Sequence, residues 1–69
     1  MNMEEKLKIV GARIKTARIE QNLTQKELAK IIGISASYLS KIESGKCDCS
    51  VYIIFKIIKT LDCGFKILD

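Results

Sequence analysis

Gly33-Ile34-Ser35 limits the fold of this chain more than any other three residues, because it joins two short helical segments with no room for a loop. Thr24 stands just before the first of them, with Glu27 three residues on. That spacing lets the threonine hydroxyl and the glutamate carboxylate each bond the other's backbone N–H, and so starts a helix. Leu28, Ala29 and Ile32 make its inner face. Gly33 ends it, since glycine enters the left-handed conformation without steric penalty. Ser35 then caps a second segment whose inner positions are Leu39 and Ile42, and Gly45 closes that one.

Two short helices joined so tightly cross at a steep angle, roughly 90–120°. Ala29 has to be small, because the following helix passes over it, and Leu28, Ile34, Leu39 and Ile42 fill the angle. The outer face of the later helix then protrudes. It is polar, carrying Ala36, Ser37, Ser40, Lys41 and Ser44. A protruding polar helix suits the major groove of DNA, about 12 Å across.

The flanking sequence completes the pattern. From Met3 to about Asn22, Leu7, Val10, Ile14 and Ala17 recur at helical spacing and form one apolar stripe. Ser50 is placed to cap a further helix running to about Leu61, with Val51, Ile54, Ile57, Ile58 and Leu61 as inner positions. Beyond it, Cys63, Phe65 and Ile67 alternate with Gly64, Lys66 and Leu68, a strand pattern over residues 63–68. The expectation is an all-α, compact four-helix fold with a short C-terminal β-strand, one domain over 1–69, its paired-helix motif over 24–44.

Composition narrows the function. At 69 residues the chain buries only about 60% of its extended surface, so its core is marginal and self-association is a common remedy. The formal charge of +4 suggests a polyanionic partner, although a modest lysine excess is also common in plain soluble domains. Histidine is absent, and no phosphate-cradling glycine loop or nucleophile elbow occurs, so the chain is not expected to be an enzyme or to need a cofactor. Cys47, Cys49 and Cys63 are odd in number and wrongly spaced for a zinc knuckle. They read as structural or incidental thiols, with a redox or intersubunit metal site as the alternative. No apolar run reaches the roughly 20 residues that span a bilayer, and the N-terminus lacks the apolar stretch of a secretory signal. A cytoplasmic location without membrane association is expected.

The residues from Val10 to Leu61 resemble the helix-turn-helix domains of the phage Cro/cI-type repressors, the XRE family. The match includes Arg18, Leu23-Thr24-Gln25, Leu28-Ala29, Gly33-Ile34-Ser35, Tyr38-Leu39-Ser40, Ile42-Glu43, Gly45-Lys46 and Leu61. The resemblance implies a lambda-repressor-like fold and a sequence-specific regulator of transcription on double-stranded DNA. It places Ala36, Ser37, Ser40 and Lys41 against base edges, with Gln25, Tyr38 and Lys46 at phosphates. It also pairs Arg18 with Glu43 as a partly buried ion pair tying the first helix to the third. Each residue has a plainer reading: solvated lysines, a solubilising serine face, Gln25 as a good helix former, the Tyr38 ring packed on the second helix. The sequence departs from the family at Cys49, where a proline is usual, at Ala36, where a longer polar residue is often found, and in lacking a fifth helix.

A surplus of apolar residues lies off the expected core stripes: Ile9, Ile19, Ile31, Tyr52, Ile53 and Phe55. Contiguous apolar surface of that kind marks an interface. One occupant is a second copy of the chain, with the tail strand pairing across a two-fold axis and Ile53, Phe55, Phe65 and Ile67 at the interface. The alternative is a foreign partner, as in an antitoxin that neutralises a toxin and represses its own promoter.

Overall fold

Four side chains start four helices in the computed structural model, which describes residues 2–47 and 50–62. The helices are α1 (Met3–Glu20), α2 (Gln25–Ile32), α3 (Ala36–Glu43) and α4 (Val51–Leu61). Asn2, Thr24, Ser35 and Ser50 precede them in extended backbone, and their side-chain oxygens accept from the N–H groups of Glu5, Glu27, Tyr38 and Ile53. Each cap satisfies an N–H that lacks an intrahelical partner and is worth about 1 kcal/mol. At α2 the bond is reciprocated: the Thr24 N–H donates to Glu27 Oε1 at 2.9 Å and the Glu27 N–H to Thr24 Oγ1 at 3.0 Å. The Thr24 backbone N–H, and after it the hydroxyl, hold the Glu27 carboxyl below the ordinary carboxylate range.

The first three helices end by one device. Asn22, Gly33 and Gly45 take left-handed backbone, with φ of 59°, 90° and 72°. The next residue then donates back over the turn: Leu23 to the Arg18 carbonyl, Ile34 to Ala29 and Lys46 to Lys41, at 3.2, 3.0 and 2.9 Å. This closure satisfies carbonyls that the helix leaves open. The helical pattern runs to Asn22, whereas α1 stops at Glu20. Asn22 tolerates the left-handed turn better than most residues and serves there as glycine does elsewhere.

The core is built where the helices meet: Ile14 of α1, Leu28, Ala29 and Ile32 of α2, Leu39 and Ile42 of α3, and Ile57, Ile58 and Leu61 of α4. Val10, Ala17, Leu23, Ile34 and Ile54 are half-buried against it. Two expectations need correction. Val51 is 70% exposed instead of inward. It shares the stripe of Ile54 and Ile58 but occupies the first turn of α4, and helical period fixes a face without fixing how far a neighbour covers it. Ile9 and Ile53, counted with the surplus, are half-buried, Ile53 against the core.

Gly11 has a role that no sequence pattern marks. It is buried in α1, and a Cβ added there would meet the carbonyl oxygen of Ile42 and come within 2.5 Å of that of Glu43. A Cβ at Gly45 would lie 2.6 Å from the Lys8 Cα. The C-terminal turn of α3 therefore lies directly on the α1 backbone. Gln21 Nε2 donates to the Leu61 carbonyl and ties the end of α1 to that of α4. Among the described residues there is no strand, and no helix is long and apolar enough to cross a membrane. The strand expected over 63–68 lies outside the described residues.

Candidate nucleic-acid interface

α3 has two sides of opposite character. Leu39, Ile42 and Glu43 are buried, while Ser37, Ser40, Lys41 and Ser44 are exposed. An α-helix with its side chains is about 10–12 Å across, so this eight-residue polar ridge has the cross-section that the major groove admits. Ala36 is half-buried at the base of this ridge and packs on the core. Tyr38 is likewise half-buried, its ring side on the core. Ser44 Oγ donates to the Lys41 carbonyl at 3.1 Å, and the Lys46 N–H donates to the same carbonyl at 2.9 Å. The backbones that carry Lys41 and Lys46 are thus locked together, and both side chains are exposed.

Beneath the ridge lies a polar cluster that joins three helices. Arg18 Nε donates to Glu43 Oε2 at 2.7 Å and Arg18 Nη2 to Glu43 Oε1 at 3.1 Å, with both residues buried. Arg18 Nη1 donates to the Leu23 carbonyl at 2.7 Å. A forked guanidinium on a carboxylate is the strong geometry for such a pair, and the third bond uses the remaining nitrogen. Among the described residues no buried side-chain nitrogen or oxygen lacks a partner, so the desolvation cost is offset as fully as the geometry allows.

Gln25 belongs to this cluster as well. Its Nε2 donates to Glu43 Oε1 at 3.0 Å, from the first residue of α2. Sequence spacing gives no hint of this bond, since 18 positions separate the two residues. Lys8 of α1 lies against the Gly45 turn that follows α3. Only the glycine at 45 hints at that approach.

The outer side of α4 is different. Tyr52 and Phe55 are 69% and 46% exposed, and with Lys56, Lys59 and Thr60 they line an open groove. The Lys56 ammonium lies 5.6 Å from the centre of the Tyr52 ring, a cation–π distance. Ile19 and Ile31 are exposed on α1 and α2. Phe65 and Ile67, also expected at an interface, lie outside the described residues. Cys47 is a half-buried free thiol packed against the core, and Cys49 and Cys63 lie outside the described residues.

Comparison with known proteins agrees with this geometry. The helix-turn-helix family model matches residues 14–68. An uncharacterized HTH-type transcriptional regulator of Sinorhizobium fredii is 34% identical over 59 residues, covering 86% of this chain and 78% of the relative. Among solved structures, the restriction-modification controller protein C.AhdI from Aeromonas hydrophila superimposes with a TM-score of 0.89 at 28% identity over the full length of both chains. The clp gene regulator ClgR from Corynebacterium glutamicum gives 0.80 at 26% identity, covering 83% of this chain and 61% of its own.

Proposed function

The chain belongs to the helix-turn-helix family of Cro/cI-type (XRE) transcriptional regulators, and from that premise we propose that it is a repressor binding a near-palindromic operator as a homodimer, with α3 in the major groove. The observation that carries the reading is the outer row of α3: Ser37, Ser40 and Lys41 are exposed together while the opposite side of the same helix is locked into the core. Rigid backing matters, because base discrimination requires side chains held in register. In this reading Ala36, Ser37, Ser40 and Lys41 face base edges, and Gln25, Tyr38 and Lys46 face phosphates. Regulation proceeds without a catalytic step. The twin subunit docks on the outer side of α4, where Tyr52 and Phe55 are exposed and Ile53 is half-buried.

Paired substitutions test the assignment on a duplex that the protein itself selects from a random pool. Lys41→Ala is expected to lower affinity by about 1–3 kcal/mol and to relax preference at one base pair of each half-site. Lys46→Ala is expected to weaken binding to all sequences alike and to reduce the salt slope by about one. Uniform loss in both variants would mean that α3 does not read bases through Lys41.

A further inference from the structure

Glu43 has a third bond that an ion pair with Arg18 does not need. A carboxylate offers about four lone-pair sites. Arg18 fills two of them, and Gln25 Nε2 takes another on Oε1. The donor comes from the first residue of α2, at the helix end where backbone N–H groups lack intrahelical partners and the helix dipole favours anions. The acceptor sits on the last residue of α3, whose other side is the exposed ridge. This hydrogen bond therefore links the N-terminus of α2 to the C-terminal end of α3, beside the core packing that sets their spacing.

We infer that Glu43 is a positioning residue for DNA binding: it holds the Gln25 amide with one N–H on the carboxylate, leaving the second N–H aimed at a backbone phosphate. This inference rests on the proposed DNA-binding role. An amide nitrogen carries two hydrogens, so the bond to Glu43 does not exhaust it. A glutamine without that bond would sample several rotamers and would lose conformational entropy on meeting a phosphate. The buried carboxylate removes that loss in advance, and Arg18 in turn holds the carboxylate. The chain of contacts runs from α1 through α3 to the N-terminus of α2.

The test uses the selected duplex with single phosphates replaced by neutral methylphosphonates, scanned along each strand. For the wild type, replacement at the phosphate facing Gln25 is expected to cost tenfold or more in affinity, the scale of a hydrogen bond to a charged acceptor. Gln25→Ala and Glu43→Leu, which leaves no acceptor at position 43, are both expected to lose that penalty while keeping the penalty at the phosphate facing Lys46. Full retention of the penalty in Glu43→Leu would overturn the positioning role. A scan in which Gln25→Ala removes no penalty would overturn the phosphate contact of Gln25. Failure of the wild type to bind any selected duplex would instead overturn the DNA-binding role itself. Should Glu43→Leu fail to fold, NMR of the wild type decides. The two Gln25 side-chain amide protons are expected to be widely separated in the free protein, with one of them shifting on duplex addition. A pair resembling a solvated glutamine would contradict the inference.

Discussion

At the scale of single residues, Arg18 and Glu43 show why a polar cluster is tolerated in so small a core. Taking two charges out of water costs several kcal/mol each, and the return depends on geometry. Here the Glu43 side chain is 2% exposed, and its two oxygens take three donors. Removing one partner strands the other in the core. Arg18→Ala or Glu43→Ala is therefore expected to cost about 3–5 kcal/mol of unfolding free energy in urea titrations, a large share of a small domain's stability. The double variant should be far less destabilised than the sum of the singles, because the stranded charge is then gone. Additive losses would mean that the two groups do not meet in solution. The pairing reaches across 25 positions, so no local pattern encodes it, and only the family resemblance brought the two residues together. Gln25 as a third member was not legible at all, because a glutamine at a helix start satisfies every local rule without a distant partner.

At the scale of elements, the caps were the most legible feature. Thr24 with Glu27, then Gly33, Ser35, Gly45 and Ser50 act through backbone bonds to residues three to five positions away, so sequence spacing suffices to place them. Burial was less legible. Val51 fits the apolar stripe of α4 yet is exposed, and Ile53 lies off that stripe yet packs on the core. Period describes one helix, whereas burial depends on where its neighbours end. Gly11 is the sharpest case, a glycine inside a helix that looks like a weakness by propensity alone. In an open helix Gly→Ala would gain up to about 1 kcal/mol. At Gly11 the new methyl would press on the carbonyls of Ile42 and Glu43, which are backbone and cannot swing aside. Gly11→Ala is therefore expected to destabilise by about 1–3 kcal/mol, the usual cost of overpacking, read as a lower denaturant midpoint. A raised midpoint would show that α1 and α3 lie further apart than the structure places them.

At the scale of the whole molecule, the structure carries two surfaces of opposite character. The ridge of α3 is polar and rigidly backed, and the outer side of α4 is apolar with lysines at its rim. A chain of 69 residues has little core to spare, and covering Tyr52 and Phe55 with a twin subunit would add buried apolar area at about 25 cal/mol per Å². In the proposed dimer such a pairing would also present two α3 ridges to one duplex, doubling the base and phosphate contacts together. The most direct measurement is an unbiased selection of bound duplexes by the purified protein, repeated from low to physiological salt. The expected result is a consensus of two half-sites related by a two-fold axis, centred about 10 base pairs apart, with affinity falling steeply as salt rises. Recovery of duplexes without a consensus, or binding that is flat with salt, would contradict it.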